Sequence, residues 1–159
     1  MRFVSLILVF SIFVVTSQIA LARVSSTFMV ETLVSEGKKS KEVNSTLNFG
    51  DKSFRLVSNK PGLVSKEMTY SEIKTADYSY SKKPLLSTGG AVAMAILTGL
   101  IVLPFLFMKK KQHWLTVRTD NDYAVMKLDK ENFRQIQSEF EIKKVKITTL
   151  NEDDNKKEK

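Results

Sequence analysis

A run of 20 uncharged residues, Gly89 to Met108, constrains this chain more than any other feature. Its only hydroxyl side chain is Thr98. As a helix, at about 1.5 Å per residue, it would extend over about 30 Å, the thickness of the hydrocarbon core of a bilayer. The run therefore predicts a transmembrane or membrane-embedded segment at 87–108, lying between two more polar parts of the chain.

Small side chains recur along this run at Ala91, Ala95 and Gly99. Four-residue spacing places them on one helix face, which allows another helix to approach closely. These three residues are candidate helix–helix contacts. Ordinary lipid-facing composition is the alternative interpretation.

The N-terminus predicts a secretory signal peptide over residues 1–22. Arg2 precedes the apolar run from Phe3 to Val15, and Ala20-Leu21-Ala22 supplies a small-x-small cleavage site. An uncleaved anchor is the alternative. The protein is expected to be exported through the secretory pathway and to reside in the membrane of the cell envelope.

Basic residues flank the central apolar run, with Lys82 and Lys83 before it and Lys109 to Lys111 after it. If the run crosses the bilayer once, the positive-inside bias places the N-terminus outside. Lysines near a membrane surface attract anionic headgroups, and a tryptophan anchors at the interface. The candidate headgroup or interface contacts are Lys82, Lys83, Lys109, Lys110, Lys111 and Trp114.

Composition excludes much chemistry. The chain has no cysteine and one histidine, so disulfides, thiolate metal sites and a thiol nucleophile are absent. His113 lacks an evident catalytic partner, which favours a structural or interfacial role. No phosphate loop, zinc-protease or serine-hydrolase motif occurs. We expect no enzymatic activity, cofactor or metal.

The net charge of +8 is spread along the chain, so we expect no nucleic-acid partner.

Strand patterns surround the apolar run. Alternation from Thr46 to Val57 around Gly50-Asp51-Lys52 predicts a hairpin. Further strands are predicted around Met68 to Tyr70 and at Ala76, Tyr78 and Tyr80. A second hairpin is predicted from His113 to Leu128.

The C-terminal part predicts an amphipathic helix over 130–141, with Asp129 as its N-cap. Phe133, Ile136 and Phe140 form its apolar stripe. Val145 and Ile147 predict a last short strand. The polar tail 151–159 is predicted to be disordered.

Three sequence blocks resemble small bacterial pleckstrin-homology-like (PH-like) domains of unknown function. These are a "YSxI" strand, a basic run leading into "HxLT", and a "LDKxNF" helix start. In this sequence they fall on Tyr70, Ser71 and Ile73; on Lys109 to Lys111, His113, Leu115 and Thr116; and on Leu128, Asp129, Lys130, Asn132 and Phe133. The resemblance implies an α+β fold, a small β-rich barrel closed at one end by a C-terminal helix, with binding as its usual role.

An apolar run inside such a barrel leaves two arrangements open. Either 23–86 and 109–150 are separate pieces on opposite sides of a membrane, or they are the two halves of one PH-like domain interrupted by a membrane-embedded helix. Small cores without disulfides or metal are marginal, which favours one domain. We expect a module that binds membrane lipids or a membrane protein partner. The alternative is a small accessory subunit of a larger membrane complex.

Overall fold

The computed structural model describes residues 25–36, 39–61, 65–82, 84–87 and 110–151. The predicted signal peptide, the apolar run with Ala91, Ala95 and Gly99, and the tail 152–159 lie outside the described residues, as do Lys83 and Lys109. Within the part that is described, no helix is both long and apolar enough to cross a membrane.

Eight strands and one α-helix form the described fold, with a short 3₁₀ turn at Tyr70–Glu72. The helix, α1, follows the seventh strand. In chain order the elements are β1 (Thr27–Glu36), β2 (Lys39–Phe49), β3 (Ser53–Ser58), β4 (Lys66–Thr69), β5 (Thr75–Ser81), β6 (Gln112–Arg118), β7 (Tyr123–Leu128), α1 (Phe133–Ile142) and β8 (Ile147–Leu150).

All eight strands belong to one curled sheet, a half-barrel with the order β4-β3-β2-β1-β7-β6-β5-β8. Every pairing is antiparallel except the parallel pair of β5 and β8. Strands β6 and β7 follow the apolar run in sequence, yet they pair with β5 and β1, which precede it. The β-rich fold with one helix near the C-terminus agrees with the expected class.

Both predicted hairpins are present. In the first, Phe49 faces Phe54 across the turn, and the Gly50 amide donates to the Ser53 carbonyl at 2.9 Å. A Cβ on Gly50 would lie 2.9 Å from that carbonyl oxygen, so the tight turn requires glycine. In the second, the Thr119 amide donates to Asp122 O. Strand β1 and the first half of β2 were not predicted.

The core lies on the concave face of the sheet, and α1 covers it. Ile136 and Phe140 are fully buried, as the helical stripe predicted. The Phe140 ring packs edge-on against Phe49 and Phe54, with centroids 4.9 and 5.2 Å away. Rings from two strands therefore meet one helical side chain, and this fixes α1 over the open side of the half-barrel.

The helix begins later than predicted, at Phe133 with Asn132 as N-cap. Asp129 does not cap it with its carboxylate. Instead, the Asp129 backbone carbonyl accepts from the Asn132 and Phe133 amides and forms a turn before the helix. The Asn132 side chain is also engaged elsewhere, since its Nδ2 donates to the Met29 carbonyl at 2.8 Å. Tertiary contacts with β1 therefore replace local capping.

Strand β5 buries its polar face. Asp77, Ser79 and Ser81 are at most 2% exposed, whereas Tyr80 on the other face is 54% exposed. Residues 84–87 lie over the polar face, because the Ser87 amide and hydroxyl donate to Asp77 Oδ2 at 3.1 and 3.0 Å. The Leu85 amide donates to Ser79 Oγ. The chain is thus held against the sheet as far as Ser87.

Candidate binding cleft

A cleft of about 500 Å³ lies where β1 diverges from β7. These strands pair only at Glu31 with Lys127 and at Thr32 with Met126. Beyond that point the Asn132 side chain, not a β7 backbone group, binds the Met29 carbonyl. The opening is lined by charged side chains of both signs together with polar and apolar ones: Met29, Val30, Glu31, Asn44, Tyr80, Lys111, Gln112, His113, Lys127, Leu128, Asp129 and Lys130.

His113 lies at the centre of an aromatic cluster along one wall of this cleft. Its ring stacks on Phe133 with centroids 4.0 Å apart, and the Tyr80 ring lies 4.7 Å away on a tilted plane. Tyr78 stacks on Phe133 at 6.0 Å. Register places these side chains together, since Tyr80 and Leu128 both pair with His113 across the sheet. The first residues of α1 complete the cluster.

A hydrogen bond orients the imidazole, because Tyr78 Oη lies 2.7 Å from His113 Nδ1. Burial and then the nearby Lys130 charge lower the pKa of His113 below its usual value. Burial raises the pKa of the Tyr78 phenol. At neutral pH both groups are therefore uncharged, and the pair is a neutral phenol–imidazole contact.

Lys127 holds two carboxylates beside the cleft, at 2.7 Å from Glu31 and 3.2 Å from Glu42. Burial opposes the Lys127 charge, but its hydrogen bonds to both carboxylates outweigh this and raise the pKa of the ammonium. Burial and the neighbouring Glu31 raise the pKa of Glu42. Hydrogen bonds from Lys127 and Glu42 offset the effect of burial on Glu31 and lower its pKa. In this cluster one ammonium therefore faces two carboxylates.

Three of the five predicted lysines, those that the structure describes, lie near this cleft. Ser81 pairs with Gln112, so Lys82 and Lys111 extend from adjacent strand ends. Lys82, Lys110 and Lys111 are exposed, and Lys130, also exposed, lines the same cleft as Lys111. We call the side chains Lys82, Lys110, Lys111 and Lys130 the basic end of the sheet.

Trp114 does not belong to this surface, which corrects its predicted role as an interface anchor. The indole is fully buried, and its Nε1 donates to the Ser81 carbonyl at 3.2 Å. Trp114 lies on the opposite face of β6 from His113, the face that residues 84–87 help to cover. Its nitrogen therefore has a protein acceptor and not a headgroup.

Sequence reasoning missed Met29, Tyr80, Lys130 and Phe133 as members of one surface. The only available signal was the two-residue spacing of Tyr78 and Tyr80, which indicated a strand face but not an open end. Met29 and Tyr80 are 57% and 54% exposed. Both side chains also line the cleft, so part of its surface is apolar.

A second cleft lies at the C-terminal end of α1, beside the turn between β2 and β3. Tyr70 forms part of its wall, and burial together with Glu139 raises the pKa of this phenol to about 12. Lys143 Nζ lies 5.8 Å from the Tyr70 ring. Ile142 is exposed there. The Tyr70 hydroxyl donates to the Gly50 carbonyl at 3.2 Å, so it is already engaged within the protein.

The first cleft offers ammonium donors, an imidazole and exposed apolar surface, the chemistry that suits a ligand with a negatively charged and an apolar part. Within the described residues, no group of three or more His, Asp or Glu side chains could hold a metal ion.

No family model and no curated protein matches this sequence. Among solved structures, the chain is similar to the hSac2 domain from human phosphoinositide phosphatase Sac2. The two share 8% sequence identity over 91% of this chain and 88% of that chain, with a TM-score of 0.48. Similarity at this level carries no information about what this chain binds.

Proposed function

We propose that this protein is a non-enzymatic, exported membrane protein whose PH-like module applies the basic end of its sheet to a lipid surface. The observation that carries the proposal is the pairing of β5 with β6 across the apolar run. Three arguments support it. The first concerns strand pairing across the run, the second the distance between the residues that flank the run, and the third the side chains at the basic end of the sheet.

Strands that share hydrogen bonds must lie on one side of a bilayer. The β5–β6 and β1–β7 pairings join residues before the apolar run to residues after it. A single crossing at Gly89 to Met108 would separate these strands and leave their backbone groups unpaired, at a cost of several kcal/mol per group in an apolar environment. The module is therefore proposed to lie entirely on one side.

The described residues on either side of the run lie close together. Ser87 is bound to Asp77, and Lys110 lies two residues before Gln112, which pairs with Ser81. Asp77 and Ser81 are four positions apart on the same strand, or about 13 Å at roughly 3.3 Å per residue. A helix that crosses a bilayer requires about 30 Å between its ends. This geometry favours a run that enters the membrane and returns to the same side.

Side chains at the same end of the sheet match a membrane surface. The basic end carries four exposed lysines, each worth about 1 kcal/mol near an anionic surface. Tyr80 presents an exposed ring with a polar hydroxyl beside them. Rings of this kind are enriched at headgroup level.

The PH-like assignment is part of the proposal. Four N-terminal strands form one meander and β5 to β7 form a second, and α1 packs over the core they enclose. The two meanders followed by a helix support the assignment, whereas β8, which follows α1 and pairs with β5, is an additional strand. Binding at an exposed surface, without catalysis, is the role that such a module is expected to have.

Two labelled positions at opposite ends of β7 test the orientation. Asp120 precedes this strand and Asp129 follows it, and both are exposed. Asp129→Cys and Asp120→Cys are each made in the full chain, labelled with a fluorophore and reconstituted into bilayers that contain headgroup spin-labelled lipid. We expect strong quenching at residue 129 and weak quenching at residue 120, because six strand residues separate them by about 20 Å.

Equal quenching at the two positions, or stronger quenching at residue 120, would overturn the proposed orientation. Absence of quenching at both positions, with a stoichiometric partner protein retained in mild detergent, would replace it by the accessory-subunit function.

A further inference from the structure

We propose that residues 84–87 form a strap that opens and closes over the polar face of β5 while the rest of the sheet stays folded. The strap is the last described segment before the apolar run, so its release frees the start of the run from the sheet. Opening does not require that the module bind a lipid, and the device is therefore independent of the proposed orientation.

Hydrogen bonds and two leucines hold the strap closed. The Ser87 amide and hydroxyl donate to Asp77 Oδ2 at 3.1 and 3.0 Å, and the Leu85 amide donates to Ser79 Oγ at 3.3 Å. Leu85 and Leu86 are only 6% and 8% exposed, so the strap is packed against the protein. All of these contacts come from four consecutive residues, and a segment with so few contacts can open without the core.

Two buried oxygen atoms oppose closure. Asp77 and Thr116 pair across β5 and β6 and are 2% and 1% exposed. Among the described residues, neither Asp77 Oδ1 nor Thr116 Oγ1 has a hydrogen-bond partner. A buried polar atom without a partner has lost its bonds to water, which raises the free energy of the state that buries it. Opening returns water to this face, so both oxygens favour the open strap.

The covered face also differs from the core under α1. The core is built from apolar side chains, whereas the strap covers Asp77, Ser79 and Ser81 of β5. Hydroxyl and carboxyl groups are well solvated when they are uncovered, unlike apolar surface. Trp114 of β6 is fully buried on the same face, and its burial keeps the closed strap the major state. The two opposing contributions give a strap with two accessible positions.

Opening changes where the apolar run starts. With the strap closed, Ser87 is bound at Asp77, four positions back along β5 from Ser81 and about 13 Å from it at roughly 3.3 Å per residue. With the strap open, the six residues after Ser81 can extend up to about 20 Å in any direction. The strap therefore sets the length and direction of the connection between the sheet and the run.

Hydrogen exchange of backbone amides, measured on the full chain in detergent, distinguishes a strap from a fixed segment. We expect the Leu85 and Ser87 amides to exchange together, about 100-fold faster than the Leu115 amide within β6 and with little dependence on denaturant. Exchange of all three amides at one rate, with the same denaturant dependence, would overturn the proposal, because the strap would then open only by global unfolding.

Thr116→Val removes the unpartnered hydroxyl and keeps the shape of the side chain. We expect it to slow exchange of the Ser87 amide about ten-fold, because the closed state no longer buries that oxygen. Thr148→Val is the matched control, since Thr148 also pairs with Asp77 but is exposed, and it should leave the rate unchanged. Unchanged or faster exchange in Thr116→Val would overturn the opposing role of this hydroxyl; an ordered water bound to it would have that effect.

Ser87→Ala tests the contacts that close the strap and also serves if Thr116→Val does not fold. It removes the hydroxyl bond to Asp77 and keeps the amide, so exchange at residue 87 and at Leu85 should both accelerate about five-fold. Acceleration at residue 87 alone would show that the strap does not open as a unit, which contradicts the proposal. These rates are measured without a bilayer, so absence of headgroup quenching at residue 129 would remove the proposed orientation and leave the strap in place.

Discussion

Ser81 pairs with Gln112 across β5 and β6, although the whole uncharged run lies between them in the sequence. The pairing shows that the segment before the run and the segment after it, which look separate in the sequence, are neighbours in one sheet. It also brings together Lys82 and Lys111, and it places Tyr80 next to His113. The basic end of the sheet exists because of this pairing.

The core should depend strongly on Phe140. Its ring contacts Phe49, Phe54 and Tyr70, which come from three different elements. We expect Phe140→Ala to lower the free energy of unfolding by about 3–5 kcal/mol, because it leaves a cavity under α1. Ile142→Ala is the control and should cost far less, since this side chain is 68% exposed. Denaturant unfolding of both variants in detergent measures the difference, and similar losses would contradict the packing.

Asp77 should hold the segment that leads into the apolar run. Asp77→Ala removes the acceptor of the Ser87 amide and hydroxyl, so we expect faster hydrogen exchange at the Ser87 amide. The expected loss of stability is about 1–3 kcal/mol, typical for a buried group that loses its hydrogen-bond partner. Asp77→Asn keeps one carbonyl acceptor and should preserve most of the protection. Unchanged exchange in Asp77→Ala would show that other contacts hold residues 84–87.

His113 should titrate below its usual value of 6.5, first because of burial and second because of Lys130. The unfolded chain then binds the proton more tightly than the folded one, so this group reduces stability as pH falls through 6.5 toward the lowered folded pKa. Lys130→Gln should move the pKa part of the way back, whereas Lys74→Gln should not. NMR titration of the imidazole measures both, and a value above 6.5 would contradict the cluster geometry.

Trp114 should report a protein interior. It is the only tryptophan, and it is fully buried with Nε1 bound to Ser81. We expect blue-shifted emission that resists both acrylamide and headgroup spin-labelled lipid. Strong quenching by the lipid would restore the interface anchor that the sequence predicted.

Local patterns predicted the elements better than their assembly. The turn at Gly50 and the stripe of Ile136 and Phe140 depend on nearest neighbours, and both are confirmed. Strand β1 was missed, although Phe28 and Val30 alternate with exposed positions, because polar Thr32 and Glu31 interrupt its apolar character. The helix start at Phe133 depends on the long-range bond of Asn132 to Met29, which no local rule contains.

The cleft could not be predicted because its members come from three strands and the turn before α1. Met29, Tyr80, His113 and Lys130 meet only once β1 diverges from β7 and the sheet curls. Trp114 was misplaced for a related reason. Trp114 follows a run of lysines in the sequence, which suggested a membrane interface. Side chains alternate between the two faces of β6, however, and Trp114 lies on the face that residues 84–87 cover.

The most direct measurement asks whether both halves of the sheet lie on one side of the membrane. The chain has no cysteine, so Ser65→Cys before the apolar run and Asn121→Cys after it introduce single reactive positions, both exposed. Intact cells are treated with a membrane-impermeant maleimide, with lysed cells as the reference. We expect both positions to be labelled equally in intact cells. Labelling of Ser65→Cys alone would place the two halves on opposite sides and contradict the single sheet.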